Sequence, residues 1–452
     1  MGCARRHPPR VRRRESCSAC CRPAGTSSCR ARRPGAALNG QRRQGVAAGI
    51  LVVAVGLSVR FPITNTSALL GEISAGYGLP QTALAVLSTI PVILFALAAP
   101  LAPLLVSRLG LSRSLSLLLG VLSVATLLRP LGPAPLFVGT ALIGASIAVL
   151  GILAPQIIRS ALAPRAGLWT GVYTASFGVS AATGAALSVP LFHAFGDNVG
   201  QALAAWGVPL LVALGVGLAF GRRIGAPGPV RRSAGADAGA SIWRARGLWP
   251  VTGFFACQAL LYFALTAWLP TIAVDRGASA AQSGLLLAWM SVAGLPAALF
   301  APMLASRARW RTPMLVATAT LGTVSLVGLA IAPLSALTLV VAVLGVALSS
   351  AFGISVALIV LTAPNSAATA AFSAVVQGVG YAIAAMGPLV SGLLVGVGIS
   401  WPAVIAGLAG VALLEVGFGI ASARASLAVQ RTGAPAEHTA REEPPVGVRA
   451  QR

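Results

Sequence analysis

The sequence predicts an all-α polytopic membrane protein of twelve transmembrane helices, arranged as two six-helix halves related by a pseudo-two-fold repeat. Three observations support this fold class: the composition, the alternation of apolar runs with arginine-rich connections, and an internal repeat. Of the 452 residues, 56% are hydrophobic and 9% are charged, and the mean hydropathy is +0.85. A soluble domain carries about a quarter charged residues. Most of the chain is therefore expected to lie in a lipid bilayer.

The apolar runs have the length of membrane spans, since a helix needs about 20 apolar residues to cross the hydrocarbon core. Turn-forming or charged residues separate the runs. The predicted spans, numbered first to twelfth, are residues 46–70, 80–106, 113–130, 134–158, 167–192, 201–220, 248–272, 280–305, 313–332, 335–362, 367–396 and 401–422.

Arginines concentrate in alternate connections between these spans. They occupy the N-terminal tail, 108–113, 159–165, 221–247, 307–311 and the C-terminal tail. The opposite connections carry Glu72, Asp197 and the pair Asp275 and Arg276, with Arg129 at a helix end. Because arginine-rich connections stay in the cytoplasm, we expect a bacterial cytoplasmic membrane protein with both termini cytoplasmic.

The net charge of +24 does not indicate a nucleic-acid partner. The arginines flank apolar runs, where anionic headgroups attract them by about 1 kcal/mol per residue. No GxxxxGK[ST] phosphate-binding loop occurs in the sequence. We therefore expect no nucleic acid and no cofactor, with the bilayer and a small-molecule substrate as partners.

Five of the six cysteines lie in the first 29 residues: Cys3, Cys17, Cys20, Cys21 and Cys29. The Cys17–Cys20 spacing matches half of a zinc site, but no second CxxC and no histidine pair follows. No metal site is predicted.

The predicted division of the chain follows from composition. Residues 1–44 and 424–452 are polar, rich in arginine and without an apolar period, which predicts disordered cytoplasmic tails. Residues 221–247, rich in Gly, Ala, Pro and Arg, separate two bundles as a cytoplasmic linker. The two six-helix bundles are residues 45–220 and 248–423.

An internal repeat supports two homologous halves. Residues 98–108 are AAPLAPLLVSR and residues 297–307 are AALFAPMLASR, identical at seven of eleven positions. Each copy closes the second helix of its half, as expected for parallel repeats with a substrate site at their interface. The repeat also resembles the loop motif that the major facilitator superfamily has between the second and third helices of each half, and this resemblance implies cytoplasmic gating loops that contain Arg108, Gly110 and Arg307.

The most informative residue is Arg60, the only charged residue between Arg43 and Glu72. A guanidinium inside the hydrocarbon costs at least about 2.5–3.5 kcal/mol and persists only if it faces protein or water. Pro62 also leaves a carbonyl of the preceding turn without its helical donor. We expect Arg60 to bind an anion in a transport cavity. The alternative is a structural arginine paired with carbonyls or with Glu415.

Polar stripes on the seventh and eleventh spans are the next candidates. Side chains spaced by four residues share one helix face, and amides or phenols facing lipid would lack hydrogen-bond partners. These residues are Gln258, Tyr262 and Thr266 on the seventh span, and Ser373, Gln377 and Tyr381 on the eleventh. We expect Gln258, Tyr262, Gln377 and Tyr381 to line the pore. The alternative is that they form interhelical hydrogen bonds of about 0.6 kcal/mol each.

Two further side chains are candidates. Tyr173 is the one large polar group near the cytoplasmic end of the fifth span, whose small residues otherwise suit helix packing. It is a substrate-binding candidate. Glu415 is the only acid deep in a span, which makes it a candidate for proton coupling, with a structural role as the alternative.

Four stretches resemble the cyanate and nitroimidazole porter family of the major facilitator superfamily. Residues 58–64 (SVRFPIT) are similar to its Leu-Arg-x-x-Ile-Thr pattern, and residues 170–174 (TGVYT) to its Thr-Gly-x-Tyr-Thr. Residues 255–270 and 377–388 are similar to its seventh and eleventh helices. The resemblance covers about residues 46–424 and implies the fold of that superfamily. It also implies proton-coupled secondary transport of a small anion or small polar heterocycle, through Arg60, Tyr173, Gln258, Tyr262, Gln377 and Tyr381.

Two positions depart from the family pattern. Ser107 stands where the loop between the second and third helices usually has an acid, which removes that gating salt bridge. Gly151 stands where the fourth helix often has Asn. The substrate's identity is therefore not transferred.

Three functions are compatible with these features to different degrees. The first is a monomeric secondary transporter of a small anion or polar compound. The second is a broad-specificity efflux pump for drugs or metabolites. The third, a non-transporting membrane receptor or scaffold, fits less well because the polar stripes are intact. An enzyme is not predicted, because the spans lack a catalytic constellation.

Overall fold

The computed structural model describes residues 34–98, 101–162, 166–222, 242–363 and 369–432. From residue 43 onward, the described residues form one compact unit. The predicted cysteine-rich stretch and most of the linker and C-terminal tail lie outside the described residues. Of the residues that are described, all regular structure is helical.

The described part of the first half contains nine α-helices. They are α1 (Pro34–Ser58), α2 (Phe61–Ala68), α3 (Leu70–Tyr77), α4 (Gln81–Leu97), α5 (Leu101–Leu128), α6 (Pro133–Ala161), α7 (Ala166–Ala194), α8 (Val199–Ala205) and α9 (Gly207–Gly221). The second half contains α10 (Leu248–Asp275), α11 (Ala280–Ser306), α12 (Ala308–Ile331), α13 (Leu337–Thr362), α14 (Thr369–Ala384), α15 (Met386–Gly396) and α16 (Trp401–Thr432).

The predicted membrane-spanning fold is confirmed. Within the described ranges, 11 helices are long and apolar enough to cross a membrane, and Gln81–Leu97 is a shorter apolar helix. Helix α5 bends at Gly110, whose φ of 77° is left-handed. Its start continues from α4, since Leu101 N–H donates to Ala98 O at 3.0 Å. The second predicted span is thus α4 with the start of α5, and the third is the rest of α5.

Several spans are broken helices. The first span is broken into α1, α2 and α3, whereas the fifth and the seventh are the single helices α7 and α10. The eleventh is α14 followed by α15, with the break at Ala385. Discontinuous helices in transporters occur where the backbone lines a cavity or is capped by neighbours.

Two helices extend beyond the predicted spans. Helix α1 begins at Pro34, so the end of the segment predicted to be a disordered tail is helical. Helix α16 runs to Thr432, past the predicted end of the second bundle. Its last turns are held because Ser426 and Gln430 accept hydrogen bonds from the buried Arg311. An apolar window could not detect this polar extension.

The two halves share a core at one end of the bundle. We call the end where α1 begins and α16 ends the tail end, and the opposite end the far end. One buried cluster joins the halves, with Leu69 and Ile73 on one side and Trp268 and Trp401 on the other. Two other clusters belong largely to one half each. The halves are therefore packed together most extensively toward the far end.

Glycine permits this close packing. A Cβ at Gly284 of α11 would lie 2.7 Å from Ala185 O of α7, and backbone cannot yield as a flexible side chain would. We expect Gly284→Ala to reduce the free energy of unfolding by about 1–3 kcal/mol through overpacking. The matched control is Gly410→Ala in α16, where a Cβ meets nothing within 4 Å. Thermal unfolding of the purified variants would measure both. Equal stability of the two variants would contradict this packing.

Candidate functional site

The site is built on the break in the first span. Arg60 lies between α1 and α2 and precedes the first turn of α2. Ser180 of α7 caps the break: its Oγ accepts the N–H groups of Arg60 at 3.2 Å and Phe61 at 2.9 Å. The same hydroxyl donates to Leu57 O at 2.6 Å. Ser180 of the neighbouring helix thus satisfies three backbone groups at the break, the N–H groups of Arg60 and Phe61 and the carbonyl of Leu57.

The Arg60 side chain is half-buried among aromatic rings. Its Cζ lies 5.7 Å from the ring centroid of Phe177, 5.2 Å from that of Tyr262 and 5.8 Å from that of Phe263. Such contacts stabilise a cation but use none of its N–H groups. Among the described residues, no group accepts a hydrogen bond from this guanidinium and no carboxylate pairs with it. The structural alternative for Arg60, pairing with carbonyls or Glu415, is therefore not observed.

Arg60 faces a cavity of about 90 Å³ at the interface of the two halves. The first and fifth spans line it from one half, and the seventh, eighth, tenth and eleventh spans line it from the other. Its polar wall residues are Arg60, Thr174, Gln258, Tyr262, Ser291, Ser349 and Tyr381. Their placement on both halves means that a bound molecule would contact each half at once.

Gln258 is the second distinctive group of this wall. It is 1% exposed, and its Oε1 lacks a hydrogen-bond partner among the described groups. A buried amide oxygen without a donor costs about 1–3 kcal/mol. The cavity thus presents N–H donors on Arg60 and an unsatisfied acceptor on Gln258, between aromatic walls.

The structure brings four of the six predicted binding residues into the cavity wall: Arg60, Gln258, Tyr262 and Tyr381. The two tyrosines meet the same ring, since Phe263 lies 5.3 Å from Tyr262 and 6.1 Å from Tyr381 between ring centroids. The four-residue spacing thus led to Gln258, Tyr262 and Tyr381, which line the cavity, and to Gln377, which does not.

Tyr173 and Gln377 lie outside the described cavity wall. Tyr173 is buried behind Phe177, with ring centroids 4.4 Å apart, so the phenylalanine occupies the position nearer the cavity. Gln377 Nε2 donates to Ser373 Oγ at 2.6 Å, within its own helix. The structure gives neither residue a contact with the cavity in this conformation.

Glu415 is 3% exposed and its Oε1 is unpartnered among the described atoms. It belongs to α16, which packs against α10 so closely that a Cβ at Gly253 would meet Phe418 at 2.5 Å. It is absent from the wall of the cavity around Arg60. This carboxyl therefore does not offer the cavity a negative charge for a cationic substrate.

The predicted gating loops differ in how their charged residues are placed. Gly110 adopts the left-handed conformation, whereas Arg108 and Arg307 are exposed at the tail end. The buried cation there is Arg311, which donates to Ala305 O and Ser306 O, each at 3.1 Å, as well as to α16. Sequence reasoning grouped Arg311 with the surface arginines, because nothing local distinguishes it from them.

We expect Arg311→Gln to lower the free energy of unfolding by about 1.5–3 kcal/mol, the contribution of a hydrogen bond to a charged group. The bonds to Ser426 Oγ at 3.0 Å and Gln430 Oε1 at 3.2 Å would be lost. The exposed Arg307→Gln is the matched control and should be near neutral. Chemical or thermal denaturation compares the two, and an Arg311 variant as stable as the control would exclude the anchor.

The aromatic wall was missed from sequence. Phe177, Phe263 and Phe352 enclose the cavity, yet phenylalanines in a membrane span are ordinarily packing residues. In the sequence, Phe177 and Ser180 lie among the small residues of the fifth span. This position was the one indication that both side chains face the broken first span. In the described residues, no three His, Cys, Asp or Glu side chains come together in a way that could hold a metal ion.

The sequence is similar to a known family and to curated transporters. The sequence pattern described as Major Facilitator Superfamily matches residues 46–388. The chain is 32% identical over 390 residues to the 2-nitroimidazole transporter of Escherichia coli (strain K12), covering 86% of this chain and 97% of that protein. It is 28% identical over 353 residues to the cyanate transport protein CynX of the same organism, covering 76% and 89%. It is 31% identical over 352 residues to the uncharacterized transporter YycB of Bacillus subtilis (strain 168), covering 77% and 87%.

Solved structures show the same fold at low identity. A bacterial homologue of the human lysosomal transporter Spinster, inward-facing and unoccupied, superimposes with a TM-score of 0.65 at 14% identity, covering 87% of this chain and 97% of that one. The nucleoside transporter NupG superimposes with a TM-score of 0.61 at 12% identity, covering 87% and 99%. These likenesses establish the fold, and the family pattern with the curated relatives establishes the family. The chain belongs to the major facilitator superfamily and, by its relatives, to the branch that contains the cyanate and nitroimidazole transporters.

Proposed function

We propose that this membrane transporter moves a small anion or small polar compound across the cytoplasmic membrane by alternating access, coupled to the proton gradient. The single observation that carries the proposal is the guanidinium of Arg60, which has no partner among the described residues and lies in a cavity shared by both halves. A half-buried cation without a counterion favours an anionic ligand, and a planar guanidinium can bind one through two parallel hydrogen bonds.

The rest of the cavity fits a small, flat ligand. Gln258 Oε1 would accept a hydrogen bond from an N–H of the substrate, and the rings of Phe177, Tyr262 and Phe263 would pack on its faces. The cavity volume of about 90 Å³ suits a molecule of few heavy atoms. The names of two relatives, a 2-nitroimidazole transporter and a cyanate transport protein, agree with this substrate class.

Other features of the proposal concern coupling and orientation. Glu415 stays a candidate for proton coupling. Because it is not part of the cavity wall, its protonation would affect the cavity through the packing of α16 against α10. The arginines at the tail end, against Glu72 and Asp197 at the far end, support cytoplasmic termini. The protein is proposed to act as a monomer.

Uptake into proteoliposomes tests the proposal. Purified protein is reconstituted, a proton gradient is imposed, and uptake of radiolabelled cyanate, 2-nitroimidazole and a lipophilic cation is compared with that of protein-free liposomes. We expect saturable uptake of the anion or the heterocycle that collapses with the gradient. Transport of the lipophilic cation alone would favour the broad efflux pump. Absence of all transport, with the protein folded, would favour a receptor or scaffold.

A further inference from the structure

A second, smaller cavity lies beyond Phe263. We call it the far chamber. Its volume is about 20 Å³, and its polar wall residues are Thr66, Ser67, Ser88, Thr140 and Thr266, with the prolines Pro62 and Pro91. Phe263 lines both the far chamber and the cavity of Arg60. One buried phenylalanine ring therefore separates the two spaces.

The far chamber lies on the route from Arg60 to the far end. On α2, its wall residues Pro62 and Thr66 follow Arg60 toward that end. On α10, Thr266 follows Phe263 in the same direction. Beyond it the halves are packed tightly, since a Cβ at Gly392 would lie 2.5 Å from Ala85 Cβ.

The wall of the far chamber is backed by a second buried cation. Arg129 is fully buried, and it donates to Pro62 O at 3.2 Å and to Thr66 Oγ1. No carboxylate in the described part of the chain pairs with it. Gly139 provides its space, because a Cβ there would lie 2.7 Å from Arg129 Cγ. Arg129 thus bonds to two residues of the chamber wall, Pro62 and Thr66, and its positive charge raises the electrostatic potential in the chamber.

In the described wall, the hydroxyl of Thr266 is fully buried and lacks a partner. The residue as a whole is 3% exposed. By contrast, Ser67 donates to Ile63 O at 3.2 Å and Thr140 to Leu136 O at 2.8 Å, within their own helices. A free hydroxyl next to positive potential can donate to an anion.

We propose that the far chamber is a transit subsite for the anionic substrate, and that Phe263 is the partition between it and the Arg60 cavity. This inference rests on the proposed function, because it takes the same substrate class. At about 20 Å³ the chamber holds roughly one water molecule. The anion enters it when the phenylalanine ring moves aside and the halves separate at the far end.

Cysteine labelling tests the partition without any transported substrate. In a background with Cys257→Ala and the tail cysteines replaced by serine, Ser88→Cys places a thiol in the chamber wall. Purified protein is treated with sulfonatoethyl methanethiosulfonate, which is anionic, or with its trimethylammonioethyl counterpart, which is cationic. The partition is removed with Phe263→Ala or, should that variant fold poorly, Phe263→Leu. The control is Phe352→Ala, which lines only the Arg60 cavity.

We expect removal of the partition to accelerate labelling by the anionic reagent at least about tenfold, which corresponds to a barrier lower by about 1.4 kcal/mol. In the variant without the partition, the anionic reagent should also label the thiol faster than the cationic reagent does. The control should leave both rates unchanged. Equal rates with and without the Phe263 ring, or faster labelling by the cation, would overturn the inference.

A transport measurement completes the test. Thr266→Val should lower the maximal uptake rate several-fold with little change in KM, while Thr252→Val, which removes a hydroxyl bonded to Leu248 O on the same helix, should change neither. An unaltered rate for Thr266→Val would remove this hydroxyl from the route. If anion uptake depends on Arg60 but the labelling rate does not depend on Phe263, the transit subsite is contradicted and the proposed function is not. If labelling behaves as expected but no anion is taken up, the proposed substrate class is contradicted instead.

Discussion

Replacing Arg60 with alanine is expected to abolish saturable anion uptake. The guanidinium is the one charged group in the described cavity wall, and it has no competing acceptor there. A hydrogen bond to a charged group contributes about 1.5–3 kcal/mol, and each 1.4 kcal/mol corresponds to about tenfold in affinity. Loss of a two-bond contact should therefore weaken binding by about a hundredfold or more.

Two controls make this result interpretable. Arg60→Lys keeps the charge but loses the planar donor pair, so it should retain weak uptake with a raised KM. Thermal unfolding should show that Arg60→Ala folds, because the break in the first span is capped through backbone N–H groups by Ser180 and not by the arginine side chain. A folded Arg60→Ala protein that transports as well as wild type would make Arg60 structural. The broad efflux pump would then be the leading function.

The second large effect is expected from Gln258→Glu. This nearly isosteric change places a carboxylate in the cavity that holds Arg60. The carboxylate would compete with the substrate for the guanidinium and repel an anion across a poorly screened space. We expect anion uptake near the level of Arg60→Ala at neutral pH, measured in the same proteoliposome assay.

Gln377→Glu is the matched control. Gln377 is the corresponding amide of the eleventh span, but it bonds to Ser373 and lies outside the described cavity wall. It should therefore retain a substantial share of wild-type uptake. If Gln377→Glu is as inactive as Gln258→Glu, the eleventh span approaches the substrate in a different conformation of the cycle. If Gln258→Glu transports normally, its amide does not face the bound anion.

Much of the fold follows from local properties of the chain. Each span is apolar over a length set by the bilayer, so the twelve segments are visible without knowledge of their neighbours. Arg60 is conspicuous for the same reason, because a lone guanidinium in hydrocarbon must face protein or water. The spacing of Gln258, Tyr262 and Tyr381 within two helices also reflects helix geometry, which a sequence carries directly.

The remaining features depend on contacts between distant segments. Phe177 displaces Tyr173 from the cavity wall because of how α7 is rotated against α1 and α2, and no local pattern encodes that rotation. Arg129 and Arg311 look like surface arginines in the sequence, yet both are fully buried. Their acceptors lie far along the chain, 67 residues away at Pro62 O and 115 residues away at Ser426.

The sequence by itself therefore determined the all-helical membrane-spanning fold, since this depends on hydropathy and period, and it singled out Arg60 as the candidate at the centre of the site. The tertiary structure decided which faces meet, which arginines are buried and where the cavities lie. The physical reason is that burial and hydrogen-bond partnership are properties of a packed arrangement. A side chain in a span acquires its role only from the helices packed against it.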